Sequence, residues 1–139
     1  MSFDDSFLLI GQLAQTANTT KDTVRHYDDL GLLKSRKRQA GSRLYTEFHP
    51  ECVDRIALIK RAQAIGFTLT EIQNSLNDYY DGQLDLDEQL DIVKQKLAQI
   101  LEQQATINLI VETLSQRLIT LEQMKKDQNS PDKINTIKK

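Results

Sequence analysis

Cysteine is nearly absent from this sequence: Cys52 stands alone among 139 residues. One thiol forms no internal disulfide, and beside two histidines it offers too few soft ligands for a structural zinc site. Apolar runs are short as well. None approaches the ~18 residues that span a bilayer, and no stretch resembles a signal peptide. There is no glycine-rich phosphate loop, and no Ser/His/Asp, Cys/His or paired-carboxylate set falls at a persuasive spacing. The expectation is therefore a non-enzyme without metal or cofactor, soluble and cytoplasmic, built as one ordinary domain or a small domain with an extension. An excess of positive charge is also missing, since 18 Lys/Arg stand against 20 Asp/Glu for a net of −2. Taken alone, that balance argues against a nucleic-acid partner.

The average hides an asymmetry. Residues 1–70 carry ten Lys/Arg and eight Asp/Glu, whereas residues 71–139 carry eight and twelve. Five of the basic residues (Lys34, Arg36, Lys37, Arg38 and Arg43) fall within ten positions that hold no acid. A local basic cluster in a near-neutral chain says more than total charge, although a solvated loop would carry the same residues.

The second half is dominated by one pattern. Apolar residues step alternately by four and three through Leu86, Leu90, Val93, Leu97, Ile100, Gln104, Ile107, Val111, Leu114, Leu118 and Leu121. Only Gln104 interrupts the stripe, and a polar residue there costs stability while helping to fix register. Neither Pro nor Gly breaks residues 83–130, so a single helix of roughly 60 Å is allowed. Such a spacing is the seam of a coiled coil. A lone helix cannot bury it, and the economical partner is a second copy. Folding back onto its own N-terminal half is the competing arrangement, and that half looks too small to cover the stripe. Beyond Met124 the text turns polar, so 127–139 reads as a disordered tail.

The first eighty residues divide into short helices and one hairpin. Ile10 to Ala14 suits a short helix; Asn18-Thr19-Thr20 turns; Thr20 caps a second helix over Lys21–Leu30, which Gly31 ends. Helix, three-residue turn and helix is helix-turn-helix spacing. Leu32 to Tyr45 can form a two-stranded wing turning at Gln39 to Ser42. Pro50 fits the first turn of a third helix running to Ile65. Thr68 to Glu71 is a capping box, stapled by Phe67 and Ile72, that opens a fourth helix ending before Asp81-Gly82. The expected architecture is mainly α: a winged helix-turn-helix over 1–80, a dimerisation helix over 81–126, and the tail.

Four elements then carry a resemblance: Ile10-Gly11-Gln12-Leu13-Ala14; Thr23-Val24-Arg25-His26-Tyr27 with Gly31-Leu32-Leu33; Gly41-Ser42-Arg43-Leu44-Tyr45; and Gly66-Phe67-Thr68-Leu69-Thr70-Glu71-Ile72. In that order and spacing they resemble the MerR (mercury-resistance regulator) family of bacterial transcription regulators over about residues 8–76. The resemblance implies a homodimer paired through an antiparallel coiled coil. It would bind double-stranded promoter DNA with an over-long −35/−10 spacer and distort it so that RNA polymerase engages both elements.

In a helix-turn-helix the second helix offers its exposed N-terminal face to the major groove. Here that face presents Thr20, Lys21 and Arg25, with His26 and Tyr27 a turn further on. Arg pairs bidentately with guanine or clamps a phosphate, while Lys, Thr and Tyr mostly contact phosphates. A surface role for His26 and a half-buried packing role for Tyr27 are the bland alternatives. Arg25 matches the family's recognition-helix arginine. The wing can lay Arg36, Arg38, Arg43 and Tyr45 along the flanking backbone, and Arg43 and Tyr45 match the family's wing motif. Ser42 stands where many relatives carry an aromatic residue, so one phosphate contact is expected to be missing. Lys60 and Arg61 match the region of a second wing. Glu47-Phe48-His49 reads as a loop longer than that of many relatives.

The signal is less legible. Metal-sensing relatives place cysteines in stretches that correspond to residues 74–86 and beyond 112, and this chain has none there. Cluster-holding relatives use four cysteines, and multidrug sensors append a domain for which 139 residues leave no room. Cys52, in the first turn of the third helix, is a candidate sensor because the helix dipole favours a thiolate. A small buried packing residue is the alternative. An effector pocket near Tyr79 and Tyr80 is a second candidate, against ordinary packing of those rings. Two readings from other classes also fit parts of the chain: a DNA-architectural or recombination accessory protein, and a coiled-coil adaptor without specific DNA binding.

Overall fold

A computed structural model gives the architecture and describes residues 6–129. The chain is mainly helical, in the order β1 (Leu8–Leu9), α1 (Ile10–Thr16), α2 (Lys21–Asp29), β2 (Ser35–Ala40), β3 (Arg43–Phe48), α3 (Glu51–Ala64), α4 (Leu69–Tyr80) and α5 (Leu86–Gln128). It falls into two compact units, one ending at Val93 and the other starting at Lys94.

Local chemistry explains most boundaries in the first unit. Thr20 accepts the Thr23 backbone N–H at 3.1 Å and so caps α2. In α4, Thr68 accepts from the Glu71 N–H while the Glu71 carboxylate accepts from the Thr68 N–H at 2.9 Å, a reciprocal capping box. The α1–α2 turn needs a left-handed residue, and Asn18 takes φ +54°, one of the few non-glycine types that tolerates it. Gly31 plays the same part after α2 at φ +76°, and the Leu32 N–H then closes on the Tyr27 carbonyl at 3.0 Å. Pro50, with the helical dihedrals φ −55° and ψ −27°, leads directly into α3, where its missing N–H costs nothing.

Three strands form one antiparallel sheet in the order β1-β3-β2. Two departures from expectation meet here. Residues 47 and 48 are not loop: they extend β3, where Leu8 pairs with Phe48 and Leu9 with Glu47. They are paired on both sides, because the tight turn carries the hairpin register on to Ser35 and Arg36 and β1, two residues long and without a signal of its own, adds the other edge. The wing turn is also tighter, with Ala40 opposite Arg43. Gly41 at φ +63° followed by a residue of ordinary φ is the pattern of a type II′ turn.

The core gathers Leu13 and Ala14 of α1, Val24 and Tyr27 of α2, Leu32 and Leu33, Phe48 of β3, Cys52, Ile56 and Ile59 of α3, and Ile72 and Leu76 of α4. One charged residue lies inside it. Arg55 is fully buried; it donates to Glu51 at 2.9 Å, to the Leu32 carbonyl at 3.1 Å and to Asn77 at 2.7 Å. Its guanidinium carbon stands 4.5 Å from the centre of the Tyr80 ring, a cation–π contact. Only Nη2 lacks a hydrogen-bond partner.

In the second unit α5 continues as an unbroken helix, and its 43 residues reach about 65 Å. The heptad residues lie along it with their side chains exposed, from Leu97 and Ile100 through Ile107, Val111, Leu114 and Leu118 to Leu121. Of the tail expected over 127–139, Asp127 and Gln128 belong to α5; from 130 onward it lies outside the described residues.

Burial alone would raise the Glu51 carboxyl, but the hydrogen bond and charge of Arg55, with Lys34 beside it, outweigh burial and hold it below its ordinary value. A carboxyl lowered in the folded state stabilises the fold fully above its unfolded pKa. That contribution is lost as pH falls through the lower folded value. Glu51→Gln is therefore expected to lower stability at pH 7 by about 1.5 kcal/mol. The gap from wild type should shrink on acidification below about pH 4; urea melts at pH 7 and pH 3 measure both, and a gap that does not shrink counts against the assignment.

Candidate nucleic-acid interface

Helix α2 sorts its residues by the 3.6-residue period: Val24 and Tyr27 turn inward, while Lys21, Asp22, Arg25 and His26 face out. Arg25 donates to Asp22 at 2.9 Å across one turn, and both side chains are largely exposed. Such a pair is weak, so Arg25 can exchange it for a stronger acceptor. Lys21 lies over α1, where a Cβ at position 11 would stand only 3.3 Å from its Cε. Gly11 thus leaves room for the lysine stem. The Thr20 hydroxyl is committed to Thr23.

Tyr27 departs from the contact role considered for it. Its ring is buried in the core, and its hydroxyl donates to Gln63 of α3 at 3.1 Å; burial pushes its phenol up. The position is one of packing between α2 and α3. His26 stays on the surface.

The strand register divides the wing into two faces, because directly opposed residues share a side. Arg36, Arg38 and Ala40 oppose Glu47, Tyr45 and Arg43, so all four expected wing contacts lie together on one face. The other face carries Lys37 opposite Thr46 and Gln39 opposite Leu44, and ends at the buried Phe48. This second face opens on a cleft of about 910 Å³ whose polar lining includes Gln12 and Gln15 of α1, Lys21 and Arg25 of α2, and Lys37 and Thr46 of the wing, with Tyr45 between its neighbours also at the lining. Asp28 and Asp29 line it as well.

Lys37, with its ammonium on the Thr46 hydroxyl at 2.6 Å, was absent from the sequence-derived set, as were Gln12 and Gln15. For Lys37 the signal was available: a two-residue turn at Gly41-Ser42 makes neighbouring basic residues alternate between faces. Nothing local marks the two glutamines, which reach the cleft through the packing of α1.

Lys60 and Arg61 are exposed late in α3. Lys60 donates to the Asn18 carbonyl at 3.2 Å, tying α3 to the helix-turn-helix turn. Tyr79 and Tyr80 meet edge to face at 5.4 Å, and Tyr80 also stacks on Arg55.

Two family models match the chain: "MerR HTH family regulatory protein" over residues 8–79, and "MerR, DNA binding" over residues 53–127. The chain is 43% identical over 68 residues to the mercuric resistance operon regulatory protein of Bacillus cereus, a match covering 48% of this chain and 49% of that protein. It thus spans about half the length of that relative. It is 27% identical over 124 residues, 86% of each chain, to the HTH-type transcriptional regulator YfmP of Bacillus subtilis. Among solved structures it is similar to the transcription regulator PbrR691 of Ralstonia metallidurans, crystallised in complex with lead(II). The two are 27% identical with a TM-score of 0.64, over 84% of this chain and 85% of that one.

At Cys52 burial opposes the thiolate that its place at a helix N-terminus suggests. The residue is fully buried. Its sulfur accepts the Lys34 N–H at 3.3 Å and its thiol donates to the Lys34 carbonyl at 3.4 Å. Burial pushes the thiol up, outweighing the Lys34 backbone hydrogen bond and the charge of Arg55. Iodoacetamide should accordingly alkylate Cys52 at least tenfold more slowly in the native protein than in 6 M guanidinium, where a free thiol of pKa ~8.5 reacts. Equal rates would restore it as a sensor candidate.

Proposed function

Because this chain belongs to the MerR family of helix-turn-helix regulatory proteins, we propose that it is a homodimeric, sequence-specific DNA-binding transcription regulator that distorts promoter DNA in response to a signal. The observation that carries the reading is the cleft where Lys21 and Arg25 of the second helix of a helix-turn-helix meet Lys37 of the wing. Three cations from two elements converge on a concave surface beside an exposed helix N-terminus, against two carboxylates, Asp28 and Asp29. A phosphate backbone fits that cleft, with α2 entering the major groove.

Roles follow from exposure and partners. Arg25 reads a base edge or clamps a phosphate at the groove. Lys21 and Lys37 neutralise backbone phosphates, with no ion pair of their own among the described residues. Thr20 and His26 flank the groove, Arg43 and Tyr45 reach the adjoining backbone from the wing's other face, and Lys60 and Arg61 extend the basic surface along α3. The seam of α5 pairs with a second copy in antiparallel fashion, which places two such units on the half-sites of an inverted repeat. Distortion of a long spacer between them adds indirect readout, and RNA polymerase is the partner that senses it.

PbrR691 was crystallised in complex with lead(II), and that ion is not extended to this chain. Soft cations want thiolates, the one cysteine is buried with its thiol on the Lys34 backbone, and no three His, Cys, Asp or Glu converge in one chain among the described residues. No helix among those residues is long and apolar enough to cross a membrane.

Arg25→Ala is expected to weaken binding to an operator selected from random DNA by about 10- to 100-fold, and to relax preference at one base position. Gel-shift titration measures this, and unchanged affinity removes Arg25 from the site. Leu97→Asp with Leu114→Asp should sediment as a monomer, since two carboxylates in the seam cannot be buried; a persisting dimer would sink the coil pairing.

A further inference from the structure

The wing's outer face is less positive than its sequence suggests. Arg36 Nε lies 3.2 Å from one Glu47 oxygen and Arg38 Nη1 lies 3.6 Å from the other, while the Glu47 side chain is only 8% exposed. The Phe7 ring stacks on the Arg36 guanidinium at 3.7 Å, and the His49 ring meets Phe7 edge-on at 5.4 Å. The backbone of Glu47 is held on both sides, by Leu9 of β1 and Arg36 of β2, and its side chain is largely shielded from water between the two arginines. Two guanidiniums therefore share one carboxylate.

We propose that Glu47 is a specificity-determining positioning residue: it limits the wing's attraction for DNA backbone so that contacts in the α2 cleft decide where the protein rests. The proposal rests on the DNA-binding reading above. Sequence-independent affinity comes from cations that replace counterions on phosphates. A phosphate approaching Arg36 or Arg38 competes with Glu47 for the same donors and is repelled by its charge. The pair thus presents about one positive charge instead of two, in a fixed orientation. Lys37 on the opposite face makes no ion pair among the described residues; its ammonium rests on the Thr46 hydroxyl, and Asp28 and Asp29 line the same cleft without pairing with it. Weak outer contacts lower binding to random DNA more than to an operator, where Arg25 adds interactions that the wing does not supply.

Glu47→Gln keeps the size and an acceptor for Arg36 but removes the charge. Kd for an operator fragment and for a random-sequence fragment of equal length is measured across a salt series, with thermal melts to verify folding. The variant is expected to bind random DNA more tightly. Its log Kd against log salt should steepen by about 0.9 per subunit, and its operator-to-random ratio should fall. Glu47→Asp retains the charge and should return the wild-type slope. An unchanged slope and random-DNA affinity, with operator binding intact, would overturn the proposal and leave Glu47 a structural residue; so would equal loss of both bindings in a folded variant. If Glu47→Gln does not fold, Arg38→Gln is compared with Lys37→Gln: the arginine change should flatten the random-DNA slope by less, and an equal or larger loss overturns the proposal. Wild-type protein that binds neither fragment would instead fail the DNA-binding reading itself, an outcome distinct from the rest.

Discussion

The first unit depends on a guanidinium with no access to water. Arg55 leaves α3 and takes hold of two other pieces of chain: the Leu32 carbonyl at the entrance to the wing, and α4 through Asn77 and the Tyr80 ring. Isolated, such a charge would be intolerable in a core; here Glu51 neutralises it at the helix's own first turn. One turn before Arg55, Cys52 grips the Lys34 backbone from both sides. The base of the wing is thus pinned at residues 32 and 34 by the same helix face. That explains how a hairpin whose tip is exposed holds a defined position beside α2.

Charge works the same way at a larger scale. A net of −2 pointed away from nucleic acid, and dividing the chain into a basic and an acidic half reversed that reading. The structure adds a finer division. Of the five cations between Lys34 and Arg43, Lys34 faces Glu51 and two more share Glu47, leaving Lys37 and Arg43 uncompensated among the described residues. What matters to a phosphate is this local remainder, and no count along the sequence supplies it.

The features legible in the sequence were those set by near neighbours. Thr20 capping α2, the Thr68–Glu71 capping box, Gly31 at the end of α2 and the unbroken helix through the heptads all depend on residues within a few positions of each other. The misplaced residues depend on remote partners. Tyr27 turns inward because Gln63, 36 positions away, meets its hydroxyl. Cys52 sits at a helix N-terminus, where local rules favour a thiolate, yet burial beneath the wing's entrance decides otherwise. Glu47 and Phe48 read as loop because one of their two strand partners, β1, lies about forty residues earlier and is two residues long, and the other, at Ser35 and Arg36, follows only from the tight turn. In the candidate site, Arg25 and Lys21 followed from helix geometry, while Lys37 awaited the strand register.

The two-residue turn at Gly41-Ser42 has an evolutionary consequence. With side chains alternating at every step, adding or deleting one residue between Ser35 and Gly41 would exchange the two faces beyond that point. Arginines now balanced by Glu47 would swing into the cleft, and Lys37 would take their place. Length changes in this hairpin are therefore tolerable in pairs but not singly. The parity of the wing, more than its length, should be what descendants of this chain preserve.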